Sequence, residues 1–254
     1  MSSQTTTSPV FKLGKIVFTV ENCSKNLQDQ LAQMLPRASF DDPQEPIVLV
    51  NESGDDLTAM RPLINSIFKL HHSCFWADAA CLISPSGKKV MLTGKSSAGK
   101  STTSIALALG HKWKVLSEDI TLVDSGTGEI LSFATPFSLK QGTLDLLEDG
   151  ADVVPETIIQ HEWVPIGVSV RDEIYKVPFD IAVHLEITDQ ERSDFSWSPL
   201  SPTEYVRRVL PVSNLLRITD GTEVFLDYVK EGGCFSCVNG SVSERITKLR
   251  ELVA

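Results

Sequence analysis

Residues 94 to 101 read Gly-Lys-Ser-Ser-Ala-Gly-Lys-Ser, a full match to the pattern G-x-x-x-x-G-K-[ST]. Each residue type in that pattern has a physical use. The glycines let backbone N–H groups curl around an anion, Lys100 supplies a point charge for β- and γ-phosphates, and the Ser101 hydroxyl suits Mg²⁺. A strand-like run, Lys89-Val-Met-Leu-Thr93, leads into the loop, and an Ala- and Leu-rich helical run leads out. Phosphate bound there would sit at the positive end of a helix dipole.

A second chemical feature, Ser117-Glu118-Asp119, comes one helix and one strand later. A right-handed strand-helix-strand unit brings the C-terminal ends of two parallel strands to the same sheet edge, so both carboxylates should arrive beside the loop. Neighbouring side chains on a strand face opposite ways. The two acids should therefore differ in role, one toward Mg²⁺ and the other toward an incoming nucleophile.

The elements that must position these groups follow from apolar spacing and turn residues. Val10–Val20 reads as a strand pair or one bent strand, and Ser24 caps a short helix that buries Leu27, Leu31 and Met34. Ile47–Val50 is a short strand, followed by a helical pattern from Leu57 to Leu70 that Pro62 should start or kink. Ala77–Thr93 reads as a hairpin turning at Pro85-Ser86-Gly87, and the loop helix should run from Lys100 to Leu109 and stop at Gly110. Beyond these lie a strand at 113–123, a short helix at 142–147, a strand at 179–187, and helices at 202–210 and 242–252. Strands and helices mix without strict alternation, which predicts an α/β fold with a mixed sheet around a phosphate-loop βαβ core. A polar tail, 1–9, would precede one domain, 10–254, in three parts: 10–76, a nucleotide-binding core at 77–147, and 148–254.

Composition narrows the class of protein. With 254 residues, 42% hydrophobic and 22% charged, the chain can bury a core without disulfide or metal staples. A net charge of −10 would repel a nucleic-acid backbone, so nucleic acid is not an expected partner. No apolar run approaches the length of a membrane span, and the N-terminal stretch lacks the features of a signal peptide. Five cysteines, an odd number, fit reduced thiols and a cytoplasmic location. Cys234-Phe-Ser-Cys237 has no second pair to complete a zinc site and reads as a buried strand; His71-His72 lacks partners at helical spacing. Lys140, Arg207, Arg208 and Arg217 are candidate contacts for phosphate or substrate, although solvated charges are the plainer reading.

The hairpin, the run GKSSAGKSTTSIALAL, Gly110-His-Lys-Trp-Lys, and Val115-Leu-Ser-Glu-Asp-Ile-Thr-Leu-Val-Asp124 together resemble the HPr kinase/phosphorylase superfamily and its smaller relatives. These share a nucleotide-binding core with phosphoenolpyruvate carboxykinase. Pro136-Phe-Ser-Leu-Lys-Gln-Gly-Thr-Leu-Asp-Leu-Leu147 resembles a segment of the small relatives. The resemblance covers residues 77 to 147 well and the remainder loosely. It implies ATP bound by the loop (Gly94, Lys95, Ser96, Ser97, Ala98, Gly99, Lys100, Ser101) and by Thr102, with Mg²⁺ on Ser101 and Asp119 and Glu118 as base. Where relatives carry His-Ala-Ala, this chain has Asp78-Ala79-Ala80. A carboxylate at 78 can orient a nucleophile or water but lacks a histidine's titration near neutral pH.

The glycine- and arginine-containing segment of bifunctional HPr enzymes is absent, which argues against HPr as acceptor and against phosphorolysis. The small relatives include kinases of free serine and of ribosomally made peptides such as lasso peptides. The expectation is an ATP- and Mg²⁺-dependent kinase of a serine-type hydroxyl on a peptide or small molecule. An ATP-binding regulatory module, or an ATPase without efficient transfer, is the alternative, and a homo-oligomer is left open.

Overall fold

The computed structural model describes residues 9–35, 38, 45–51, 56–71, 74–133, 137–138, 163–164, 174–188 and 194–254. They belong to two units, Met1–His72 and Ser73–Ala254. In the first, Val10–Leu13 (β1) and Ile16–Glu21 (β2) form an antiparallel hairpin whose turn uses Gly14 at φ 57°. Ile47–Val50 (β3) pairs in parallel with β2. Ser24 caps Lys25–Met34 (α1) by accepting from the Leu27 N–H at 3.1 Å, and Leu27, Leu31 and Leu35 are fully buried. Asp56–Leu70 (α2) begins ahead of Pro62, which lies inside the helix. At its end the two ring nitrogens of His71 each lie 2.9 Å from a carbonyl oxygen, those of Ile67 and Leu13. That histidine serves the fold of its own unit.

In the second unit, Phe75–Ile83 (β4) and Lys89–Thr93 (β5) make the expected hairpin. Lys100–His111 (α3) follows the loop and continues through Gly110, because the left-handed cap is Lys112 at φ 58°. Next come Lys114–Ser117 (β6), Ile120–Val123 (β7) and Glu129–Leu131 (β8). Phe137–Ser138 (β9) pairs with Trp163–Val164 (β10), and Tyr175–Lys176 (β11) with β8. Ile181–Glu186 (β12), Ser196–Leu200 (β13), Pro202–Val209 (α4), Gly221–Val229 (α5), Gly233–Val238 (β14) and Val242–Val253 (α6) complete the described elements.

The main sheet has the order β11-β8-β7-β4-β5-β12-β14-β13, with β6 also paired to β4. β5, β12 and β14 are mutually parallel, and the other pairings in this sheet are antiparallel. The fold is thus mixed α/β with a mixed sheet. One apolar cluster includes Leu92, Ile105, Leu107, Trp113, Val183 and Leu249, which joins the sheet to α3 and α6. The other includes Met91, Phe179, Tyr205 and Phe225, which joins it to α4 and α5. Such burial contributes about 1.5–3 kcal/mol for each large apolar side chain, enough to hold helices on both faces.

Two expectations need correction. β6 does not lie beside β5, because the tight β4–β5 hairpin already occupies that slot and β4 runs antiparallel to both. β5 and β6 nevertheless point the same way and end at the same edge; the strand directly parallel to β5 on its other side is β12. The strand expected over 113–123 is also broken in two at Glu118-Asp119. The helix expected at 142–147 and Lys140 fall outside the described residues, and among the described residues no helix is long and apolar enough to cross a membrane.

Candidate functional site

The loop from Gly94 to Gly99 is shaped by backbone angles that ordinary residues resist. Gly94, Ser97 and Gly99 have φ of 146°, 68° and 90°. Gly94 is also pressed against the end of β12, where a Cβ would stand 2.4 Å from the Leu185 carbonyl oxygen. Gly99 is the N-cap of α3 and has no side chain to satisfy the first amides. Lys95, Ser96 and Ser97 are exposed while Ala98 is buried. Lys100 is only 7% exposed, and its Nζ donates to the carbonyls of Gly94 at 2.7 Å and Lys95 at 3.2 Å. The ammonium is thereby folded back over the loop, with Thr102 buried in the first turn of the helix.

The break between β6 and β7 forms the opposite wall. The Ile120 N–H donates to Glu118 O at 2.8 Å across Asp119, whose φ is 67°, which are the marks of a γ-turn. The Asp119 carbonyl then accepts from the Ala79 N–H at 3.1 Å, so β4 grips the turn. This geometry separates the two carboxylates. Glu118 is 3% exposed and accepts a hydrogen bond from the Ser101 hydroxyl, whereas Asp119 is exposed. Asp78, half-buried on β4, feels the charges of both Lys100 and Asp119. Lys100, Ser101, Asp78, Glu118 and Asp119 thus meet at one sheet edge.

Electrostatics distinguish the acids further. Burial raises Glu118 to about 7, reinforced by the charge of Asp119 and opposed by the Ser101 hydrogen bond and by Lys100. Burial also raises Asp78, with Lys100 pulling it back down. Folded Glu118 keeps its proton to about pH 7, while an unfolded chain releases it near 4.5. Its contribution to stability is therefore fully present below pH 4.5 and is lost as pH rises through 7. Thermal unfolding across that window should show the midpoint falling in the wild type and a flatter profile in Glu118→Gln. Parallel profiles would mean that some other group carries the dependence.

A polar cluster under the loop strand escaped the sequence reading. The Thr93 hydroxyl lies 3.2 Å from His184 Nδ1, 3.0 Å from the Tyr205 hydroxyl and 3.3 Å from the Val183 carbonyl. Burial lowers His184 to about 4, helped by Arg208 and by the loop lysines and opposed by Glu186, so the ring is neutral at pH 7. Arg208 pairs with Glu186 at 3.1 Å, and Arg207 and Arg217 are exposed. Cys234 and Cys237 lie in β14, as expected for a buried strand.

No protein-family model matches the chain, and no curated protein does. Among solved structures, an HPr(Ser) kinase/phosphatase from Coxiella burnetii is similar at 11% identity and a TM-score of 0.32, over 70% of this chain and 96% of that one. The similarity is distant.

Proposed function

We propose that the Ser73–Ala254 unit binds ATP with Mg²⁺ and transfers the γ-phosphoryl group to a serine-type hydroxyl of a peptide or small molecule. The observation that carries this reading is the Ser101–Glu118 hydrogen bond, which ties the start of the loop helix to the acidic turn beside Lys100. A loop of this shape at a helix N-terminus suits polyphosphate. The Ser101 hydroxyl beside the single Glu118 carboxylate fits Mg²⁺, which characteristically takes one or two carboxylates and completes its shell with phosphate oxygens and water. When bound, it would neutralise charge on the β- and γ-phosphates.

The hydrogen bond also supports a division of labour opposite to the one the resemblance implied. Ser101 and buried Glu118 form the metal side, and exposed Asp119 faces the acceptor, with Asp78 beside it. In the transfer, the acceptor oxygen bonds to the γ-phosphorus as the bond to the β,γ-bridging oxygen breaks. ADP departs and Asp119 takes the hydroxyl proton. Lys100 would exchange its loop carbonyls for phosphate oxygens.

Incubation with γ-labelled ATP, Mg²⁺ and separate pools of free serine, HPr and serine-containing peptides tests the reading. Label on free serine or a peptide supports it. Free phosphate alone points to an ATPase, retained ATP to a regulatory module, and label on HPr to the bifunctional class. Lys100→Ala should weaken ATP binding by about 1.5–3 kcal/mol, the range for hydrogen bonds to charged groups. Unchanged affinity by calorimetry would remove the loop from the site.

A further inference from the structure

Arg245, in the first turn of α6, is a cation held inside the second unit at 4% exposure. Its Nε and Nη2 donate to the Asn239 carbonyl at 3.2 and 3.1 Å, and its Nη1 donates to the Ala98 carbonyl at 3.3 Å. The Cys237 thiol donates to the same Asn239 carbonyl at 3.8 Å. Asn239 is itself held in a left-handed conformation, φ 56°, at the end of β14. One end of the guanidinium presses on the loop, since a Cβ on Gly99 would stand 2.1 Å from Nη1. Among the described residues no carboxylate pairs with it. Neighbouring Glu244 is engaged by the N–H and hydroxyl of Ser241 in a capping box.

Burying a guanidinium without a counter-ion costs desolvation energy that an apolar side chain of similar size would avoid. Two features offset that cost at this position. The planar fork reaches two carbonyls from different elements at once, and the loop it touches is the proposed seat of a polyanion. We propose that Arg245 is a positioning residue for the loop: it fixes the Ala98–Gly99 peptide from behind and adds a positive charge that a bound triphosphate feels through the loop. The proposal rests on the nucleotide reading above. It also explains why Gly99 is glycine, since any side chain there would displace the guanidinium.

The test uses the full chain with Arg245→Met, which keeps length without charge, and Arg245→Lys, which keeps charge without the fork. Without nucleotide, hydrogen exchange is followed at the Ala98 and Thr103 amides, whose partners are the Lys95 and Gly99 carbonyls. Both variants should exchange faster there than the wild type. Calorimetry with AMP, ADP and ATP should show a loss that grows with phosphate number, reaching about tenfold or more for ATP in the Met variant and less in the Lys variant. A general loss of stability would lower all three affinities by one factor. Wild-type exchange rates in both variants, or an equal loss for the three nucleotides, would overturn the proposal. Should the Met variant fail to fold, the Lys variant alone decides through loop exchange. Wild-type protein that binds none of the nucleotides would instead sink the nucleotide reading, and the exchange rates would still decide whether Arg245 holds the loop.

Discussion

Asp119→Asn is expected to lower the rate of phosphoryl transfer by about 10²–10⁴-fold, the usual contribution of a positioned base, with little change in Mg²⁺ requirement. Glu118→Gln should behave differently. It keeps an oxygen that can accept from the Ser101 hydroxyl but loses the anionic ligand, so the Mg²⁺ concentration for half-maximal rate should rise about tenfold or more. Titrating Mg²⁺ in both variants separates the two roles. The reverse pattern, a Mg²⁺ defect in Asp119→Asn and a rate defect in Glu118→Gln, would restore Glu118 as the base. Identical modest losses with normal Mg²⁺ dependence would leave neither acid in the reaction.

Gly94→Ala is expected to weaken ATP binding by about 10²-fold while the protein stays folded. At φ 146° a side chain is strained by about 1–3 kcal/mol, and the new methyl would sit 2.4 Å from the Leu185 carbonyl oxygen. Neither atom can yield cheaply, because both belong to the backbone contact between the loop and β12. The strain is smaller than the 5–15 kcal/mol that typically holds a domain together, so the loop should shift before the fold fails. A displacement of about 1 Å at such a site costs about 10²-fold in function. Calorimetry with ATP, beside circular dichroism for the fold, checks both halves; near-normal affinity would show that Gly94 has room to accept a side chain.

What the sequence made legible was local. The hairpin, the loop, α3 and the helices α4 and α6 all announce themselves through neighbours in the chain: Pro85-Ser-Gly87 for the turn, Ser201-Pro202 for the start of α4, and an apolar spacing over 242–252 for α6. The 179–187 strand was visible as an apolar run, but nothing local says that β12 pairs with β5. For the same reason β4 could not be seen between β5 and β6. The kink at Glu118-Asp119 needs a left-handed aspartate, which Asp tolerates but does not advertise. Arg245 was hidden differently. In Val242–Val253 it is one of several charges on an amphipathic helix, and only the approach of the loop singles it out.

The parallel pairing of β5 with β12 has a consequence for how the molecule is made. Thr93 and His184, paired across that boundary, are separated by 91 positions in the chain. Closing so long a stretch is an entropic debt settled only after many other contacts exist, and nonlocal parallel pairings are among the slow steps of folding. Within the second unit the hairpin and α3 emerge first and can associate at once. The wall against which Gly94 rests arrives much later, with Leu185, and the brace at Arg245 later still. A nascent chain therefore carries the whole glycine motif well before the surroundings that shape it exist, and the loop reaches its final form only when the C-terminal half docks.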